Sequence, residues 1–155
     1  MTGPPRLRGA FSMIRVTRIL YPTDFSSYSN QAYFHAVGLA EASGASLTVV
    51  YVHAPGAPES PSHWQSQLEQ VRPANPKIAV SHVLLEGDPA TEIARYAADA
   101  GIDVVVIGTH GRAGADRLAM GSVAERVVRE AACSVMVVKL PKGVAGAERP
   151  IAARI

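Results

Sequence analysis

The residues with the clearest chemistry in this chain are Gly108, Gly111, Gly121 and Ser122, spaced G-x2-G-x9-G-S. Glycines in such a run let backbone N–H groups approach an anion with no Cβ in the way. A helix starting at Ser122 would add unpaired N–H groups and the equivalent of about half a positive charge. The chemistry implied is the holding of phosphate. The spacing is neither a Walker loop, which needs Gly-Lys-Ser/Thr, nor the dinucleotide fingerprint G-x-G-x-x-G. Taken singly, each residue has a plainer role as strand end, turn or helix cap. Taken jointly, with glycine at about 7% of average usage, the pattern arises by chance in roughly one such chain in a hundred or fewer.

A second candidate is Asp24, reached through Pro22 and Thr23 at the end of an apolar run. An aspartate there can be a turn residue. It can also accept hydrogen bonds from a nucleotide or hold a hydrated Mg²⁺ beside phosphates. Its place at a strand end favours the second role. His35, His53, His63 and His82 show no i,i+3 or i,i+4 pairing and give no metal site. Phosphoryl transfer needs a positioned base or water and concentrated positive charge. The glycine segment has no lysine, the chain has no G-x-S-x-G, and only Arg112 is an evident candidate for that role. No catalytic residue is assigned. The segment reads as built for holding rather than cutting.

Short apolar runs must position these residues. Val16–Tyr21, Leu47–His53, Ala79–Leu85, Val104–Ile107 and Val135–Lys139 are the expected strands. Several are almost unbroken Val, Ile and Leu, as in strands covered on both faces. Between them lie helices with readable ends. Ser26–Ser29 offers caps for a helix that Gly44 closes, and Asp88-Pro89 is a cap with the preferred first-turn proline. Ser122-x-x-Glu125 has the form of a capping box. Ala54–Pro76 is rich in proline, with a short helix expected over Ser62–Val71 and Trp64 as a local packing residue. The alternation implies one open, mostly parallel five-stranded α/β sheet with helices on both faces. Ligands of such sheets sit beyond the carboxyl ends of the strands, where strand order reverses.

Composition narrows the class. A chain of 155 residues suits one domain, large enough to bury about 68–70% of its unfolded surface. Cys133 is the single cysteine, which suits a reducing compartment and hence the cytoplasm. It reads as a small apolar residue rather than a reactive thiol. The net charge of +2 resides in the tails, through Arg6 and Arg8 at one end and Lys142, Arg149 and Arg154 at the other. The body is mildly acidic, which argues against a nucleic-acid groove. No apolar run approaches the ~18 residues of a membrane span. Residues 1–12 are expected as a disordered leader, 13–140 as the domain and 141–155 as a flexible tail.

The segments Ile19–Ser26, Leu47–His53, Gly87-Asp88-Pro89, Ile107–Arg112 and Gly121–Glu125 together resemble the universal stress protein family. The similarity runs from about Ile14 to Lys139, and G-x2-G-x9-G-[S/T] marks the family's ATP-binding branch. The resemblance implies a Rossmann-like (HUP-type) sheet of order 3-2-1-4-5 and a homodimer through the last strand, Ser134–Lys139. It implies ATP as ligand, with Asp24 and Val52 flanking the adenosine and Pro22 and Thr23 also among the cofactor-binding residues. Gly108, Gly111, Gly121 and Ser122 would hold ribose and phosphates, with Arg112 and Val123 backbone nearby. His110 would either touch phosphate or shape the loop. The implied role is a nucleotide-responsive stress-adaptation module. The alternatives are a slow ATPase or self-phosphorylating protein with Ser122 or a nearby threonine as acceptor, and an interaction protein that kept the fold without the ligand. The chain departs from the family in its shorter, proline-rich segment before the third strand.

Overall fold

The computed structural model describes residues 14–109 and 121–139. His110, Gly111, Arg112 and both expected tails therefore lie outside the described residues. In chain order the elements are β1 (Arg18–Pro22), α1 (Ser27–Ser43), β2 (Ser46–His53), α2 (Pro61–Glu69) and β3 (Val80–Glu86). They continue with α3 (Pro89–Asp99), β4 (Val104–Gly108), α4 (Ser122–Glu130) and β5 (Ser134–Val138). The strands form a single sheet ordered β3-β2-β1-β4-β5, and every pairing is parallel. The expected Rossmann-like order is the observed one.

The unbroken apolar strands follow from covering the sheet on both sides. Side chains alternate along a strand, so Ile19 and Tyr21 face one layer while Leu20 faces the other. On the first side they meet Ala32, Ala36 and Ala40 of α1 and Leu68 of α2. On the second, Leu20, Val50 and Val105 meet Ile93 and Ala97 of α3 and Val127 of α4. A period-2 polar face would have left one of these layers without a partner.

Local chemistry sets the boundaries. Ser26 caps α1 by accepting from the Ser29 N–H, and Gly44 ends it at φ 74°, where an L side chain is disfavoured. Asp88 caps α3 and Pro89 follows at its first turn. The expected Ser122 cap is displaced by one residue. Gly121 holds the cap position with no side-chain bond, and Ser122 is the first helical residue. The Gly121 N–H donates to Thr109 O, which keeps that residue outside the helix. Glu125 does not reach back to close a capping box; it pairs forward with Arg129 at 2.9 Å.

The first strand begins two residues later than its apolar pattern implies, because a carboxylate replaces ladder partners. Asp103, just before β4, accepts from the Thr17 N–H (2.8 Å), the Thr17 hydroxyl (2.9 Å) and the Arg18 N–H (3.0 Å). The hydrogen bonds from Thr17, then that from Arg18, hold its carboxyl below the usual aspartate range. A group depressed in this way adds stability that is full above its unfolded pKa and is lost as pH falls through the folded one. Acid titration of stability should therefore fall more steeply below about pH 4 in the wild type than in Asp103→Asn. The Asn variant should also be the less stable at pH 7. Denaturant midpoints measured from pH 2 to 7 check both.

Candidate functional site

The carboxyl ends of β1, β2 and β4 open on a cavity of about 490 Å³. This is within the roughly 300–1,000 Å³ of small-molecule sites. Val50, Val52, Ile93 and Ile107 give it apolar walls, and Thr23, Asp24, Ser29, Thr109 and Ser122 give it a polar mouth. Of the residues expected from sequence, Pro22, Thr23, Asp24, Val52, Gly108, Gly121, Ser122 and Val123 all line it. Sequence reasoning passed over Ser29, Thr109 and Ile93. Thr109 stands inside the glycine pattern at an unassigned position, whereas Ser29 and Ile93 carry no signal apart from their helical spacing.

At the mouth, Thr23, Asp24 and Ser29 are tied together by bonds within the turn after β1. The Thr23 N–H extends β1 onto Val50 O at 2.9 Å. The Thr23 hydroxyl oxygen accepts from the Phe25 N–H at 2.9 Å and lies 3.2 Å from the Ser29 hydroxyl. Asp24 Oδ1 accepts from the Ser26 N–H at 2.9 Å. The turn role and the cavity role of Asp24 thus coexist, one oxygen serving the turn. Beneath them the buried Tyr21 hydroxyl donates to Ser29 O at 2.7 Å, and burial pushes its pKa up.

The helix ends at the cavity differ in how their N–H groups are satisfied. Ser26 supplies its own acceptor to α1. Asp88 Oδ2 accepts from the Thr91 N–H at 3.1 Å and the Thr91 hydroxyl at 2.8 Å. Those bonds, then Arg126 of α4, hold the Asp88 carboxyl below its usual range. Arg126 spans the two helices, with Nη1 3.0 Å from Asp88 Oδ1 and Nη2 3.1 Å from the Thr91 hydroxyl. Among the described residues, only α4 begins without a side-chain acceptor, at Gly121 on the cavity wall. A helix start of this kind favours an anion from outside.

The universal stress protein family matches residues 15–139. A universal stress protein of Methanocaldococcus jannaschii is 36% identical over 141 residues, 81% of this chain and 83% of that one. The chain belongs to the universal stress protein family. The universal stress protein UspA from Lactobacillus plantarum has the same fold, with TM-score 0.72 and 28% identity over 81% of this chain and 99% of that one. A universal stress protein family protein from Arabidopsis thaliana with AMP bound shares the fold at TM-score 0.60 and 18% identity. That comparison covers 84% of this chain and 96% of that one, and its likeness is one of fold. No helix among the described residues of this universal stress protein is long and apolar enough to cross a membrane.

One glycine of the motif has a structural duty that its spacing does not reveal. A Cβ at Gly108 would stand 2.6 Å from Tyr28 O and 2.9 Å from the Tyr28 carbonyl carbon. The opposing atoms are backbone in the first turn of α1, so they cannot rotate aside as a side chain would. Gly108 is required there by packing whether or not a ligand is bound. Gly108→Ala should lower unfolding stability by roughly 1–3 kcal/mol, the usual cost of forcing a carbon into a filled space. Urea unfolding of the ligand-free protein measures this; an unchanged midpoint would rule the contact out.

Proposed function

We propose that this universal stress protein binds an adenine nucleotide, ATP foremost, in the cavity at the carboxyl edge of the sheet. The observation that carries the reading is the start of α4 on the cavity wall, which has no side-chain cap among the described residues, whereas α1 and α3 are self-capped. An uncapped N-terminus favours phosphate through its free N–H groups and its dipole. The apolar walls at Val50, Val52 and Ile107 suit a base and ribose. The AMP held by the Arabidopsis protein of the same fold supports the class of ligand.

A divalent cation fits the same arrangement. Asp24 is the carboxylate on the cavity wall, and one of its oxygens is already engaged by Ser26. Mg²⁺ commonly takes one or two carboxylate oxygens, keeps several waters and completes its shell with phosphate oxygens. Bound there it would offset the repulsion between Asp24 and a triphosphate. Among the described residues no group of three His, Cys, Asp or Glu could hold a metal without that help.

The role we assign is holding and signalling rather than turnover. Helix-end donors and Asp24-bound metal stabilise bound phosphates about equally in the ground and transition states, and uniform binding does not speed chemistry. Calorimetry should give an ATP dissociation constant of micromolar or tighter, about −8 kcal/mol or more favourable. Gly121→Val, which fills the approach to the α4 N–H groups, should weaken it by at least about tenfold while the domain stays folded. Labelled-phosphate release should run at least ~100-fold below the 1 s⁻¹ lower bound of ordinary phosphoryl-transfer enzymes. Unchanged affinity in Gly121→Val would remove the phosphate assignment, and brisk turnover would make the protein an enzyme.

We also assign a two-fold dimer through the last strand, Ser134–Lys139, as the form in which nucleotide state is read. The sheet ends at β5, and Met136 on it is 38% exposed. An apolar strand edge invites pairing with a second chain. Sedimentation at micromolar concentration should show a dimer, and Met136→Arg should weaken it by roughly tenfold or more by placing a charge on that edge. A monomeric wild type would count against the assembly.

A further inference from the structure

Phe25 follows Asp24 and is the one non-glycine residue with positive φ among the described residues, at 63°. A bulky side chain persists in the left-handed region only where its surroundings over-determine it. Here they do so from two sides. Its ring stacks on Trp64 of α2 at 6.0 Å and 10°, and meets Tyr51 of β2 at 5.1 Å. Trp64 and Tyr51 are themselves 4.5 Å apart, and Trp64 is buried. On the backbone, the Phe25 N–H donates to the Thr23 hydroxyl and the next N–H, of Ser26, donates to Asp24 Oδ1. Thr23 and Asp24 line the cavity, whereas Phe25 and Trp64 do not.

We propose that Phe25 is a positioning residue of the nucleotide site: its ring, clamped by Trp64 and Tyr51, holds the turn that presents Asp24 and Thr23 to the cavity. The proposal rests on the nucleotide reading above and extends it to α2, which supports the site without touching the ligand. The physical route is short. Loss of the ring contact lets residue 25 relax to negative φ, which turns the Ser26 N–H away from Asp24 and releases the carboxylate to other rotamers. The binding-competent turn is then a smaller fraction of the ensemble, and apparent affinity falls by that fraction.

The test measures Mg-ATP binding by calorimetry, with thermal melts alongside, on the full chain and three variants. Phe25→Ala should bind ATP roughly tenfold more weakly, and Trp64→Leu about three- to tenfold more weakly although it lies outside the cavity. Phe25→Tyr, which keeps the stack, should stay within about twofold of wild type. Trp64 is the chain's single tryptophan, so its emission should shift when wild type is titrated with Mg-ATP, and this response should be lost in Phe25→Ala. A wild type that binds ATP beside Phe25→Ala and Trp64→Leu variants that bind as tightly overturns the positioning role alone. A wild type that does not bind ATP overturns the nucleotide reading and this proposal with it. Should Phe25→Ala fail to fold, Trp64→Leu and Phe25→Tyr decide the matter by the same measurement.

Discussion

At the carboxyl end of β4 there is no room for any atom beyond the α-carbon of residue 108. The first turn of α1 presses its Tyr28 carbonyl onto that position, and the rest of the site depends on the contact. It brings the helix that follows β1 down against the strand two connections later. Tyr21 and Ser29 then meet beneath the cavity, and Thr23 and Asp24 are left at its mouth. A side chain at 108 would lift α1 away and open the floor. A glycine of the cavity-lining motif is thus also needed to admit a helix.

Parallel topology explains why the cavity lies at this end of the sheet. β1 is flanked by β2 on one side and β4 on the other, so the connections leaving β1 and β4 diverge and leave a crevice between them. Every helix that enters the crevice does so by its N-terminus, the end that carries free donors and partial positive charge. Two of these termini are satisfied internally, α1 by Ser26 and α3 by Asp88. The Asp88–Arg126 bridge then ties the capped helix to the uncapped one. Such an exposed pair contributes little to stability on its own. Burial of Ala124 and Val127 against the α3 layer seats α4 beside the cavity, and the bridge joins the two helices at the surface.

The opposite wall of the β1 turn is aromatic. Phe25, Tyr51 and Trp64 are drawn from a loop, a strand and the short α2, and no spacing rule links them. Trp64 is a packing residue, as its sequence context suggests, but it packs on a turn that lines the cavity. The buried Trp64 indole N–H has no hydrogen-bond partner among the described residues. Among the described residues, apolar and ring contacts hold it in place.

Much of this protein is determined by its sequence alone. Unbroken Val, Ile and Leu runs separated by capped helical patterns dictate strands buried on both faces, because any other arrangement would leave apolar side chains in water. Gly108, Gly121 and Ser122 of the glycine spacing and the aspartate after β1 line the cavity and are legible in the sequence, since glycine and helix-start chemistry are local and leave a local trace. Even there, the cap fell on Gly121 and not Ser122, because a bond to Thr109, twelve residues earlier, sets where the helix begins. Only the tertiary structure decided why Gly108 must be glycine and why Phe25 can hold a left-handed turn. It alone also brought Ser29 and Ile93 to the site. Each depends on an atom from another element arriving within a few ångströms, and such an approach is a property of packing, which residue spacing along the chain does not encode.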